Sequence, residues 1–407
     1  MERLEKNFIW MAAANIIGSL FSVTLFIYLA RSLRAEAFGK VSYAHSFIFF
    51  LLNFVDLGLS TYGIREIAKD RKKVSDYVSE IVSFKLLVAS SLFIILMAAT
   101  FLTYSSAGFR MIILGASLLL FASALSTEWA YQGQEKMRMV FISFATTTLL
   151  QLLMVWAFVK GPGDVLKATP IYSLAAFFIP VLFLIHFKYK PKLDFTYLKQ
   201  IKSYLASSLI IWLIAIFAQV YNGLDIVFLG LFKSPEEVGY FTIARRAIGG
   251  CALLMVFLAN ALLPRLSATF SNDVCQFNSA TGKFLKISSA LTVFVFLPVI
   301  IFSDHIISFA LGSEYLPASL PFRIMGFGLI LVVFNLPYST GLIAAGKEKE
   351  VLKQVLASAS LSVVINIFLM PRYGMTGAAI SFLFAEILAL FWILRAYRKH
   401  IIACQPS

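Results

Sequence analysis

Charged residues are scarce in this 407-residue chain, where Asp, Glu, Lys and Arg together make up only 14%. An ordinary soluble domain is about 25% charged. Hydrophobic residues account for 60% instead, and the mean hydropathy is +0.84. Because that much apolar surface cannot be hidden in one soluble core, the composition excludes a soluble enzyme and a disordered chain.

Cysteine and histidine are scarce as well. The three cysteines, Cys251, Cys275 and Cys404, form no CxxC pair and no disulfide framework. The four histidines are scattered along the chain rather than spaced as metal ligands, at His45, His186, His305 and His400. We therefore predict neither a disulfide scaffold nor a metal site.

Long apolar runs dominate what is present. A lipid-spanning helix uses about 20 apolar residues, so twelve helices would use about 240, close to 60% of the chain. The predicted spans are 8–30, 41–62, 80–103, 108–130, 139–159, 168–187, 204–231, 240–263, 284–303, 319–344, 351–370 and 375–395. The first is too long for a signal peptide and is taken as a retained helix. The fold class is an all-α polytopic membrane protein.

The basic residues orient these spans. The net charge is +14, from 35 Lys and Arg against 21 Asp and Glu. With both termini on the cytoplasmic side, 23 of the basic residues fall on inner segments and 8 on outer ones. This bias follows the positive-inside rule and accounts for the charge without a nucleic-acid partner. The longest predicted loop, 264–283, is too short for a soluble catalytic domain.

Two pairs of similar segments indicate an internal repeat. "EAFGKVSYA" at 36–44 resembles "EEVGYFTIA" at 236–244, and "GQEKM" at 133–137 resembles "GKEKE" at 346–350. Both pairs keep the same order and the same predicted side of the membrane, so the repeat is parallel. It predicts two six-helix lobes around a central cleft, as in alternating-access transporters.

The repeat also predicts the domain boundaries. The N-lobe is expected at 1–187 and the C-lobe at 204–396, with a cytoplasmic tail at 397–407. The basic segment between the lobes, 188–203, is expected to be a cytoplasmic linker along the inner membrane surface.

Several segments resemble one known family. They are "FIYLARSLRAEAFGKVSYA", "WAYQGQEKMR", "DIVFLGLFKSPEEVGYFTIARR", "LGSEYLPAS" and "RYGMTGAAIS". Across essentially the whole chain, these residues are similar to the Wzx-type polysaccharide flippases of the multidrug/oligosaccharidyl-lipid/polysaccharide exporter superfamily. The resemblance implies a bacterial inner-membrane transporter, not an enzyme. It would move undecaprenyl-pyrophosphate-linked oligosaccharide units of O-antigen, capsule or exopolysaccharide to the periplasmic leaflet, with a polysaccharide polymerase as a candidate partner.

Charges inside spans are costly and are therefore functional candidates. In the N-lobe, Asp56, Lys85 and Glu128 all lie in the inner third of their spans. We expect either a pairing among them, which lowers the desolvation cost, or snorkelling to the inner interface.

The C-lobe carries its buried charges in the outer third of the spans. Arg245, Arg246 and Arg323 are candidates to bind a pyrophosphate, since guanidinium groups contact phosphate bidentately. Adjacent helical residues point about 100° apart. Arg245 and Arg246 therefore cannot share a partner. We expect one to face the cleft and the other to pair with Asp225 or reach the interface; the alternative is that both snorkel to the interface. Arg31, just outside the first span, is a further substrate candidate or a solvated turn residue.

Two ion-coupling hypotheses follow. Asp225, Asn366 and Thr376 would offer oxygen ligands to Na⁺, as the related lipid II flippases imply for helices seven, eleven and twelve. The alternative is an Asp225–Arg pair with polar packing residues. Glu386, mid-span in helix twelve, would titrate in an H⁺-coupled cycle or remain protonated and bonded to a neighbour. No other cofactor is predicted.

Three rival functions remain open at this stage. A multidrug cation antiporter of the same superfamily would favour carboxylates in the cleft rather than arginines. A membrane-embedded glycosyltransferase or ligase would need sizeable outer loops with acidic residues. A purely structural assembly protein would not need buried charges. The first span carries no charge, which counts against lipid II as the substrate.

Overall fold

The computed structural model describes residues 2–104, 106–186, 198–272 and 274–401, and within these ranges the chain is helical without strands. The helices are α1 (Glu2–Asp56), α2 (Leu59–Lys69), α3 (Val74–Thr103), α4 (Ala107–Leu125), α5 (Glu128–Gly133), α6 (Met137–Phe158), α7 (Val165–Ile185), α8 (Leu198–Phe232), α9 (Pro235–Asn272), α10 (Val274–Leu291), α11 (Leu297–Ile301), α12 (Ser303–Leu311), α13 (Ser319–Ala344) and α14 (Glu348–His400). The all-α polytopic fold class is confirmed.

Two of these helices are broken in the middle. A straight helix of 55 residues would be about 80 Å long, whereas the hydrocarbon core is about 30 Å thick. The backbone leaves helical geometry at Arg34 in α1 and at Gly374 in α14. Each half then has the length of one span. Eleven of the twelve predicted spans thus lie wholly or mainly on one helix or half-helix of the described chain, and the ninth, 284–303, runs from α10 through a π-helical turn (Thr292–Phe296) into α11.

Glycine is required at the break in α14. Gly374 has φ of 55°, and a Cβ at this position would collide with the carboxylate of Glu237. Glu237 Oε2 accepts a hydrogen bond of 3.2 Å from the backbone N–H of Met375. A carboxylate from α9 therefore caps the first turn of the second half of α14, where the helix dipole favours negative charge.

Two predicted boundaries are wrong. The second span was expected to continue to 62, but α1 ends at Asp56 and the separate, amphipathic α2 begins at Leu59. The segment predicted as the longest loop, 264–283, is instead mostly helical, because α9 continues to Asn272 and α10 begins at Val274. These helices therefore continue past the apolar run that hydropathy detects.

The chain forms two compact units, Met1–Ile216 and Phe217–Ser407. The division lies inside α8, beyond the predicted linker at 188–203, most of which falls outside the described residues. The first half of α8 packs within the first unit: Ser208 Oγ donates to the carbonyl of Leu57 at 2.9 Å, and Trp212 Nε1 donates to the carbonyl of Asn53 at 2.9 Å. These bonds satisfy carbonyl groups at the C-terminal end of α1.

The repeat is visible in matching turns. At the end of α5, the backbone N–H of Glu135 donates to the carbonyl of Gln132, and the N–H of Lys136 donates to the carbonyl of Tyr131. After α13, the N–H of Gly346 donates to the carbonyl of Ile343, and the N–H of Lys347 donates to the carbonyl of Leu342. Both turns have the Schellman pattern, with a left-handed residue at Glu135 and at Gly346. The structural register pairs these two residues, an offset of 211 rather than the 213 read from the sequence.

Candidate functional site

A buried lysine joins two helices of the first unit. Lys85, on α3, places Nζ 2.5 Å from Asp56 Oδ1 and 2.7 Å from Ser60 Oγ. Ser60 Oγ in turn donates to Asp56 at 2.5 Å. The Lys85 side chain is 2% exposed and that of Asp56 is 32% exposed. The cation is therefore sealed inside the unit, while the carboxylate remains open on one side.

The backbone around this pair explains its position. Asp56 is the last residue of α1, and Leu57 and Gly58 both have positive φ. A Cβ at Gly58 would lie 2.8 Å from the carbonyl oxygen of Ser208, so glycine allows α8 to approach the break closely. Lys85 Nζ also lies 5.9 Å from the ring centre of Trp129, which is within range of a cation–π contact.

Glu128 does not join this pair. Its Oε1 accepts a hydrogen bond of 2.7 Å from Ser143 on α6. Of the three inner charges, the structure therefore brings together Asp56 and Lys85, while Glu128 has a neutral partner.

A second buried ion pair lies in the second unit. Arg245 Nε, on α9, is 3.0 Å from Asp225 Oδ2, on α8, at an angle that makes this an ion pair rather than an aligned hydrogen bond. The two side chains are 9% and 10% exposed. The Arg245 guanidinium also lies 5.0 Å from the ring centre of Phe382 on α14, so one cation holds three helices together.

The other candidate arginines are in more open positions. Arg246 is exposed, as expected for a residue about 100° around the helix from Arg245. Arg323 donates to Asp304 at 2.5 Å and to Ser303 at 3.0 Å, with both charged side chains more than two-fifths exposed. Arg31 is exposed at the end of the first half of α1.

The three residues of the sodium hypothesis are not hydrogen-bonded to one another. Asp225 contacts Arg245 and the N–H of Ile226. Asn366 donates to Ser362 at 3.4 Å, and its buried Oδ1 has no hydrogen-bond partner among the described residues. Thr376 lies beyond the Gly374 break and is half-buried. Asn366 thus offers an unused acceptor, whereas the negative charge of Asp225 is already compensated by Arg245.

Glu386 is buried on α14, 3% exposed. A Cβ at Gly328 of α13 would come within 3.7 Å of Glu386 Cγ and within 2.6 Å of the Phe382 ring. Glycine at 328 therefore lets α13 approach the face of α14 that carries both side chains.

Sequence reasoning missed three participants. Ser60 follows Asp56 by four residues, a spacing that brings two side chains together on one continuous helix, and the two remain in contact although the break places them on different helices. Glu237 lies in the repeated "EEVGY" segment but was not assigned a role. Phe382 could not be singled out from the sequence, because nothing distinguishes it among 40 phenylalanines as the one whose ring faces a cation.

Comparison with known proteins agrees with this architecture. A family model described as polysaccharide biosynthesis protein matches residues 4–270. A protein of Escherichia coli K12 named as an O-antigen transporter is 22% identical over 98% of this chain and 97% of its own length. The capsular polysaccharide biosynthesis protein CapF of Staphylococcus aureus is 22% identical over 97% of this chain and its entire length.

Two solved structures share the fold. The lipid II flippase MurJ in an inward closed conformation has a TM-score of 0.75 at 14% identity, covering 96% of this chain and 87% of its own. An inward-facing multidrug resistance transporter of the MATE family also has a TM-score of 0.75 at 14% identity, covering 98% of both chains. The fold is thus shared by flippases and drug exporters alike and does not by itself decide between them.

Proposed function

The chain belongs to the polysaccharide biosynthesis protein family, and we propose on that basis that it is a transporter that flips lipid-linked oligosaccharide across a membrane. The observation that carries the proposal is the full-length similarity to relatives named for O-antigen transport and capsule synthesis. It favours a glycan flippase over the drug antiporter, whose fold is equally similar.

The proposed substrate is an undecaprenyl-pyrophosphate-linked repeat unit, moved from the cytoplasmic to the periplasmic leaflet of the bacterial inner membrane. We place both termini in the cytoplasm, as the distribution of Lys and Arg indicates. A polysaccharide polymerase that consumes the flipped unit is the proposed partner. In the alternating-access cycle that the repeat predicts, the sugar-pyrophosphate head would be exposed first to the cytoplasm and then to the periplasm, while the polyprenyl tail stays in lipid.

Deleting the gene in its host tests this function. We expect surface polysaccharide to be lost and lipid-linked repeat units to accumulate with their sugars inaccessible from outside the cytoplasmic membrane. Mass spectrometry of extracted lipids and labelling of intact spheroplasts measure the two effects. Accumulation of an acceptor without its sugars would instead indicate a glycosyltransferase.

We propose that Arg246 contacts the pyrophosphate, while Arg245 is held in place by Asp225 and Phe382. An exposed guanidinium within a span must reach water, because lipid does not solvate charge. In the deletion strain, Arg246→Gln is expected to reduce export about tenfold or more at normal protein level, the effect of losing a charged hydrogen bond. Arg372→Gln serves as a matched control, because Arg372 is an exposed arginine to which no substrate contact is assigned. Normal export by the Arg246 variant would refute the headgroup role.

We propose Na⁺ as the coupling ion, with the unused Oδ1 of Asn366 as one ligand. Asn366→Leu should then remove any sodium dependence of export while leaving the Asp225–Arg245 pair intact. Asp225→Asn should also remove it, if the carboxylate exchanges Arg245 for the ion. A sodium dependence that survives both substitutions would exclude this site, and a dependence on pH that Glu386→Gln abolishes would favour H⁺ coupling instead.

A further inference from the structure

A groove lies between α9 and α10, away from both buried ion pairs. It has a volume of about 270 Å³. Leu262, Leu266 and Thr269 contribute from α9, and Gln276, Lys283 and Ile287 are among the residues contributing from α10. Spacings of three, four and seven residues place each set on one face of its helix, so the groove is a continuous strip between two neighbouring helices.

The lining changes from polar to apolar along this strip. Thr269, Gln276 and Ser279 lie near the connection between the helices, at 272–274. Leu262 and Ile287 lie at the opposite end, where the lining is aliphatic. Lys283, whose side chain is exposed, stands between the two regions. A ligand with a polar head and an apolar chain matches this order.

The depth of the groove matches the boundary of the bilayer. The 38 residues of α9 make a helix about 57 Å long, well beyond the hydrocarbon thickness of about 30 Å. Its C-terminal turns, together with the first turns of α10, therefore extend into the headgroup layer. With the orientation proposed above, this is the cytoplasmic leaflet.

The sequence of α9 and α10 near the groove is basic. From Cys251 to Ser303 the sequence carries three cations, Arg265, Lys283 and Lys286, and one anion, Asp273. Basic residues near the membrane surface attract anionic lipid headgroups. A neutral or cationic partner would gain nothing from this distribution.

We propose that the α9–α10 groove binds a phosphate-bearing, net anionic lipid of the cytoplasmic leaflet. The phosphate contacts Lys283, the headgroup lies against Gln276 and Ser279, and one hydrocarbon chain follows Leu262 and Ile287 toward the middle of the membrane. At about 270 Å³, the cavity is slightly smaller than the ~300–1,000 Å³ of most ligand pockets. It therefore holds the head and the first part of one chain.

Native mass spectrometry of the purified full chain tests this site with three lipid probes: phosphatidylglycerol, undecaprenyl phosphate and phosphatidylcholine. We expect the two anionic lipids to be retained more strongly than phosphatidylcholine. Lys283→Gln should weaken their retention about tenfold, since it removes a charge-assisted phosphate contact. Whichever anionic lipid is bound more tightly identifies the source, a bulk phospholipid or the polyprenyl carrier.

Lys286→Gln is the matched control, because Lys286 is exposed on the same helix but does not line the groove. It should leave retention unchanged. Ala280→Trp fills the groove without altering charge and should abolish retention of all three lipids. The proposal is overturned if the two lysine variants behave alike, or if the filled groove still retains lipid as the parent protein does. The readout requires no transport, so its failure would leave the proposed function untouched.

Discussion

Replacing Arg245 by alanine is expected to lower the free energy of unfolding by about 3–5 kcal/mol, the cost of breaking a buried ion pair by removing one partner. Asp225 would remain as an unpaired carboxylate, 10% exposed, and Phe382 would lose the cation that it contacts at 5.0 Å. Denaturant titration in detergent micelles measures the loss.

The double variant Asp225→Asn/Arg245→Gln separates the structural role from a substrate role. It leaves no charge behind, so we expect it to recover most of the lost stability. If Arg245 only organises α8, α9 and α14, export should recover with it. Stability that returns without export would show that at least one of the two charges acts in transport itself, Arg245 at the headgroup or Asp225 in the proposed sodium site. A single variant as stable as the parent would contradict the pairing itself.

Asp56→Ala is expected to destabilise the first unit more than Lys85→Met does. Removing Asp56 strands a cation whose side chain is 2% exposed, with Ser60 as its remaining polar partner; the expected cost is about 3–5 kcal/mol. Removing Lys85 leaves a carboxylate that is one-third exposed and still bonded to Ser60, for an expected cost of about 1–2 kcal/mol.

The same denaturant titration compares these two variants and the neutral pair Asp56→Asn/Lys85→Met. The neutral pair should be closer to the parent than Asp56→Ala is. An equal cost for both single variants would show that the carboxylate is as enclosed as the lysine, contrary to the described geometry.

Hydropathy located the helices because lipid allows only backbone that satisfies its own hydrogen bonds. It did not locate the break after Asp56, because Val55, Leu57 and Leu59 keep the average hydropathy high on both sides of the break. That break depends on Leu57 and Gly58 adopting positive φ, and on Ser208 and Trp212 reaching carbonyl groups more than 150 residues away in the chain. Such contacts leave no local pattern in the sequence.

For the candidate sites, too, the sequence predicts some contacts and not others. The alternatives left open for Asp225 included an arginine partner, because opposite charges at equal depth lower each other's desolvation cost. Similar depth and the resemblance to the lipid II flippases grouped Asn366 and Thr376 with Asp225, yet the structure shows no hydrogen bond between Asp225 and either residue. Helix number and depth do not specify the direction of a side chain, and the break at Gly374 changes the course of the second half of α14. Burial likewise separates Arg245 from Arg246, which differ by one position in sequence.

Transfer of a lipid-linked oligosaccharide between leaflets of vesicles containing only this chain tests the central claim most directly. The substrate is extracted from the deletion strain and reconstituted with the purified protein, and a membrane-impermeant glycosidase reports which sugars face outward. We predict that the inner-leaflet pool becomes accessible in these vesicles, that protein-free vesicles stay protected, and that Arg246→Gln slows the transfer. An inner pool that stays protected, with correctly folded protein and its own substrate present, would contradict the account.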